Sequence, residues 1–488
     1  MTQATTGDEV SDEFCEDCGY EPELKRSLSG FQMFAIGFAS VSVVMGIFAT
    51  YDDVLRFSGP VGIWLFPLIG VGQLLVALVY AQLAARIPLS GGAYAWGSRL
   101  ASPRVGWAFG WLAFLGAVTG PVAIDNALAT QCLMPLFEMA PSGTTGRVLT
   151  VVLLVIQAGL AIAATKIVGW VNSLSVGVEI GILVVLGVAL AIAMIATGDG
   201  VAGNVFSRGA TENDPNYLAI GGGLMAATLM GFSTLVGFET PANMSEEAKD
   251  ATRTVPRAII GAVIASATLG LVFLVILTMA IRDLPAATAS DSPVAEIMRQ
   301  QIGPGLERPF LAAIAVAFFG AALVAMASTS RYIFAMSRDG RFPAHRVMKR
   351  VNPRTQTPIP ATLLVLAVGV ILMAVLPGDA LNQLIATGAI IGITLYTMTV
   401  VLYLTSRKKF LNEKRGGFDL GRFDRPVAIA ALVWVVFSLG VILSASTTAA
   451  TLMLVAGQFL AGLAYFVYMW KFNREVLESE PGDAAILG

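Results

Sequence analysis

Long apolar runs alternate with short polar loops along this chain. Each run has the length that crosses a bilayer as a helix, about 20 residues. Hydropathy windows predict twelve spans, at 30–56, 60–85, 105–136, 147–165, 168–196, 217–245, 256–281, 307–336, 359–376, 379–405, 427–446 and 448–471. The runs lack the short alternating segments of an outer-membrane barrel, so the chain reads as an all-α integral membrane protein. Spans 105–136 and 307–336 exceed what a bilayer needs and are expected to tilt or protrude.

Two spans are interrupted. In the first, Gly37 to Thr50 reads GFASVSVVMGIFAT; in the sixth, Gly231 to Glu246 reads GFSTLVGFETPANMSE. Each glycine lowers helix propensity by about 1 kcal/mol relative to alanine. Backbone groups freed inside a membrane are tolerated only where protein or a water-filled cavity receives them. Paired interruptions at corresponding places in two halves of a chain point to a transporter's binding site. A five-helix unit that repeats must enter the membrane upside down the second time. Repeat one (30–196) and repeat two (217–405) are therefore expected to be inverted, with two extra helices at 427–471.

Composition supports the membrane reading. The chain has 488 residues, 56% hydrophobic and 13% charged, against roughly 25% charged in a soluble domain. Its mean hydropathy is +0.74. Residues 1–24 form an acidic polar tail with no signal-peptide pattern, 25–472 the transporter domain, and 473–488 a second tail. Of 31 Lys and Arg residues, only Arg56, Arg147, Arg208, Arg282, Arg299 and Arg308 fall outside if both termini are cytoplasmic, which satisfies the positive-inside rule. Cys15 and Cys18 form a lone C-x-x-C in the tail, read as incidental, with no disulfide framework.

Three motifs carry a family resemblance: AQLAARIPLSGGAYAW after span two (Gln82, Pro88, Gly91, Gly92, Tyr94), GFETPANMSEEAKDATRTVPRAI after the sixth break, and RYIFAMSRDGRFP at the end of span eight. Together they resemble the amino acid–polyamine–organocation superfamily, in its amino acid/choline branch that includes GABA permeases. The resemblance runs from about residue 20 to 471. It implies a LeuT-type 5+5 inverted repeat and uptake of an amino acid or related amine at the plasma membrane. The Arg-Asp-Gly-Arg run also suggests a major facilitator, but the loop after span two lacks that fold's Asp-Arg core.

In the first break, Ser42, Val43, Val44, Met45, Gly46 and Ile47 should expose N–H groups at a half-helix N-terminus, which suits a carboxylate. The resemblance places the substrate's carboxylate near Ser42–Gly46. In the sixth break, carbonyls around Ser233, Thr234, Leu235, Val236, Gly237 and Phe238 would receive an ammonium. Thr119 is expected at the pocket wall, and Asp125 about two turns farther out at the external vestibule. Glu179, a carboxyl at mid-membrane, is read as a proton carrier or cation ligand, against a structural carboxyl. The resemblance places Ser328 and Thr329 around the same cavity. It also puts a lysine at the Glu179 position in some members, from which this chain departs. Glu239 is read as structural, and Glu246, Glu247, Lys249 and Arg253 as gate or solvated pairs at the cytoplasmic mouth. Gly177, Gly181, Gly388 and Gly392 are read as packing glycines.

No Walker motif, nucleophile–base pair or metal-ligand cluster is visible in the sequence, so an enzyme is not expected. No cofactor is expected beyond H+ or Na+ coupling, and no partner beyond a small solute and the lipid bilayer, nucleic acid included. The oligomeric state is open. A channel would need an unbroken polar path, and a sensor would need a signalling domain.

Overall fold

A computed structural model describes residues 28–89, 91–140, 142–163, 165–355, 357–378, 380–407, 417–445 and 448–479. The N-terminal tail with Cys15 and Cys18 lies outside the described residues, as do Lys408, Lys409 and the last nine positions. The described chain is helical throughout; its β-type pairing is an isolated bridge between Leu28 and Ala248. Ten helices among the described residues are long and apolar enough to cross a membrane. Two shorter apolar helices, Gly223–Thr234 and Ile359–Val375, lie where spans six and nine are expected.

In chain order the helices are α1 (Gly30–Val41), α2 (Val43–Phe57), α3 (Leu65–Arg86), α4 (Ala93–Leu100), α5 (Pro103–Ala127), α6 (Gly143–Ala163) and α7 (Thr165–Thr197). They continue as α8 (Gly223–Thr234), α9 (Thr240–Asn243), α10 (Ala251–Met279), α11 (Pro293–Arg338) and α12 (Ile359–Val375). Last come α13 (Ala380–Thr405), α14 (Asp424–Ala445), α15 (Ala449–Phe472) and α16 (Arg474–Glu478).

Local chemistry sets the starts. Ser29 and Gln32 form a reciprocal capping box on α1. Ser102 caps α5 with Pro103 at its first position, and Thr448 caps α15. Helix α11 is longer than the expected span because it begins in an outer segment. Gly303, at φ +74°, kinks it, and the membrane part follows Pro304. Helix α5 passes through Pro121 and ends in a π-helical turn at Leu128–Leu133.

The packing has two sides. Helix α10 lies against α1 and α3, while α11 lies against α5 and α7; α13 touches α5, α14 and α8. Lys249 N–H donates to the Leu28 carbonyl and Leu28 N–H to Glu247, each at 2.9 Å. These bonds pin the start of α1 to the segment after α9. Side chains such as Val184, Val188 and Ile192 of α7, and Leu460, Leu463 and Val467 of α15, form an exposed apolar surface suited to lipid. A Cβ on Gly177, Gly181, Gly388 or Gly392 would meet nothing within 4 Å. These four are therefore not the close-approach glycines their spacing suggests. That role falls to Gly46, whose Cβ would overlap Thr234, and to Gly72, whose Cβ would overlap the Trp434 indole.

Candidate solute site at two helix interruptions

The first interruption is one residue wide. Ser42 takes φ 45° and ψ 72°, the left-handed region that a non-glycine residue adopts only under constraint, between α1 and α2. Val43 to Ile47 are therefore helical, a correction to the longer unwinding expected. The physical reason is that Gly46 N–H already bonds the Ser42 carbonyl at 3.0 Å, so the second half-helix starts at once. The second interruption is longer and sits further on than expected. Leu235 to Glu239 are non-helical, whereas Ser233 and Thr234 still belong to α8. Gly237, at φ +87°, makes the reversal, and a Cβ there would run into the Ser40 carbonyl.

The halves meet where α2 crosses α8 at Gly46 and Thr234. Beside this crossing lies a cavity of about 310 Å³, including its open mouth. Its wall is Met45, Gly46, Ala49 and Thr50 from α2, Ala123, Ile124 and Ala127 from α5 and its end, Ser233 from α8, and Ile385 from α13. None of these side chains ionises. About one turn beyond the wall, Asn382 of α13 donates to Asp53 of α2 at 2.8 Å, across the mouth.

Of the residues expected at the site, Met45, Gly46 and Ser233 line the cavity. Val43, Val44, Ile47, Thr234, Leu235 and Phe238 are buried in packing around it, and Val236 is half-buried. Thr119 spends its hydroxyl on its own helix, at the Leu115 and Gly116 carbonyls, and does not line the wall. Asp125, expected at the vestibule, is instead enclosed between α5, α6 and α11, where Gln157 donates to it at 2.7 Å. A polar partner inside the protein makes that placement cheaper than facing an apolar cavity.

Glu179 of α7 is buried and reaches the first kink, where it meets the Ser42 side chain and the Val44 backbone N–H; its Oε1 has no partner. An internal carboxyl thus stands at the N-terminus of α2. Thr329 donates to the Ala117 and Ala325 carbonyls, and Ser328 is exposed, so Glu179 draws its partners from the kink and not from these two.

The second interruption is held by a residue the sequence reading passed over. Tyr396 of α13 donates to Glu239 Oε2 at 2.7 Å and accepts from Gly237 N–H at 3.1 Å. Its ring stacks on Phe238, with centroids 5.0 Å apart, and meets Tyr80 edge-on. Beyond the second interruption, Arg253 pairs with Asp250. Partial burial pushes the Glu247 carboxyl above its ordinary range, opposed by nearby Arg331. The wall residues Ala49, Thr50, Ala123, Ile124, Ala127 and Ile385 were also missed, because apolar residues and a single threonine carry little chemical signal. The one hint was their repeated small side chains on α5.

Comparison with known proteins agrees with this geometry. A family model described as amino acid permease matches residues 28–469. The amino-acid permease BAT1 of Arabidopsis thaliana is 30% identical over 494 residues, covering 93% of each chain. The amino-acid permease BAT1 homolog of Oryza sativa subsp. japonica is 28% identical, covering 86% of this chain and 85% of its own. A Candida albicans protein whose name proposes polyamine transport is 25% identical, over 86% of this chain and 78% of its own. With ten bilayer-length apolar helices and a family match across nearly its whole length, the chain is a multi-pass membrane protein that belongs to the amino acid permease family.

Proposed function

We propose that the chain is a secondary active transporter for an amino acid or a related small amine such as GABA. It works by alternating access, with the solute held at the interruptions α1/α2 and α8/α9. The observation that carries this reading is the cavity at the crossing of α2 and α8, bounded by both half-helices and by no ionisable side chain. Main-chain N–H groups at the start of α2 favour a carboxylate, and carbonyls at the end of α8 favour an ammonium. A zwitterion suits such a wall better than a polyamine, whose several charges would each need a carboxylate.

On this reading the chain spans the plasma membrane twelve times with both termini cytoplasmic, as a 5+5 inverted repeat with α14 and α15 added. The helices around α1, α3, α8 and α10 rock against the rest. Glu179 links the kink to the driving ion, a proton or sodium, because it touches the half-helix that must release the solute.

Purified protein in liposomes tests the core of this. Preloaded with an unlabelled neutral amino acid, the vesicles should show saturable counterflow of the labelled one. Binding by thermal shift without counterflow would favour a sensor, and counterflow of diamines alone would favour an organic-cation carrier.

A further inference from the structure

A second intramembrane carboxyl lies outside the solute site. Asp125 and Gln157 are each 0% exposed. Gln157 Nε2 donates to Asp125 Oδ1 at 2.7 Å and reaches the Phe319 carbonyl at 3.4 Å. The other oxygen of each side chain, Asp125 Oδ2 and Gln157 Oε1, is buried with no hydrogen-bond partner. An ionised carboxylate accepts only, and an amide oxygen accepts only. Among the described residues, two linked side chains thus leave two buried acceptors unserved.

Among the described residues, no basic side chain on the helices packed around the pair forms an ion pair with Asp125. Helix α6 has one ionisable side chain, Arg147, which donates to the Gly378 carbonyl at its outer end. Helix α12 has none, and α5 has only Arg104 in its first turn besides Asp125. On α11, Glu307, Arg308 and Arg331 are 11 or more residues from Phe319, over about 16 Å of helix. The nearby polar groups are Asn126 and Thr150, which bond each other at 2.9 Å.

We infer that Asp125 holds a proton, forming with Gln157 an acid–amide pair that is a proton-binding site in the wall between α5, α6 and α11. One proton on Oδ2 gives the pair its missing donor: the amide N–H serves the acid carbonyl, and the amide oxygen of the same partner is an unserved acceptor. The conclusion does not depend on which end of the Gln157 amide is nitrogen. Exchanged, two oxygens would stand 2.7 Å apart, a distance that itself requires a shared proton. A hard metal ion would need about six oxygens, more than Asp125, Gln157 and the Phe319 carbonyl supply. Asp125 sits about 200° round α5 from Ala123, on the back of the cavity wall, so the proton stays put while solute moves.

Infrared spectroscopy of the purified protein tests this without reference to any solute. Wild type should show a protonated-carboxyl stretch that persists from about pH 5 to about pH 9, where ordinary carboxylates are ionised. Asp125→Asn should remove that band, and Gln157→Leu should keep it at a higher frequency, as for an acid that has lost its acceptor. Asn preserves the reciprocal pairing, so this variant should keep counterflow and its pH profile. Loss of the band within that pH range, or a band unchanged in Asp125→Asn, would overturn the proposal. So would a sodium-dependent change in the band. If Asp125→Asn does not fold, the persistence of the wild-type band and its shift in Gln157→Leu still decide.

Discussion

Ser42 turns the first membrane helix with a single left-handed residue, and that turn aims the Val44 amide at Glu179. A carboxylate there is stabilised by the positive end of α2, typically by 0.3–1 kcal/mol and up to about 2 kcal/mol when partly buried. Once neutralised, it loses that attraction and frees the amide. If Glu179 is the coupling group, Glu179→Gln keeps an acceptor but loses the titratable proton and the negative charge. The expected outcome is a loss of about tenfold or more in gradient-driven accumulation, about 1.4 kcal/mol, with counterflow retained. Wild-type pH and sodium dependence in this variant would assign Glu179 a structural role. Gly46→Ala should be more severe, because its methyl would overlap Thr234 at the helix crossing; both counterflow and thermal stability should fall. Residues with a strong chemical signature were legible at this scale: Glu179 was recognised as an intramembrane acid. The direction a side chain faces was not legible. Asp125 lies on the same helix as the cavity wall but a different face, and hydropathy is blind to which.

Among elements, the longer interruption is the one tied across the molecule. Tyr396 on α13 serves both Gly237 N–H and Glu239, so moving α9 away from α13 breaks two hydrogen bonds with one hydroxyl. Tyr396→Phe removes the hydroxyl that Gly237 N–H and Glu239 share, leaving their own backbone contact, at a cost of about 1–3 kcal/mol for the lost buried hydrogen bonding. Thermal unfolding should show a lower midpoint. Cysteine labelling beside α9 should show greater access from the membrane face on which Asp250 and Arg253 lie; unchanged labelling would mean that the bond does not hold this end closed. The existence of both interruptions could be read from glycine and hydroxyl residues in apolar runs. Their widths could not. One carbonyl accepting Gly46 N–H shortens the first, while Gly237 lengthens the second, and both are outcomes of packing between distant helices.

For the molecule as a whole, hydropathy windows located the helices well because lipid and protein interior both demand apolar side chains. They missed the Gly303 kink and the assembly that follows α11, where polar contacts decide. There Arg341, fully buried, donates to Tyr94 at 3.0 Å and also to the Ser479 carbonyl, while Glu478 pairs with Arg104 and Leu477 is buried. Helix α16 is thereby docked on the base of α5 and on the residues that follow α11. Truncation after Asn473 should expose the Arg341 site and forfeit about 1.5–3 kcal/mol from Leu477 alone. The check is a lower unfolding midpoint with counterflow per folded molecule retained. An unchanged midpoint would show that the docking contributes nothing.

The cavity wall presents methyl, methylene and hydroxyl groups but no fixed charge. Backbone would then grip what all amino acids share, and side chains would judge only what distinguishes one from another. Descendants of such a protein can change their diet by altering a handful of positions such as Ala49, Ala123 or Ile385, without relearning how to hold the common part. Identities of 22% to 30% leave ample room for such divergence, so what relatives carry is a poor guide to what this chain would carry.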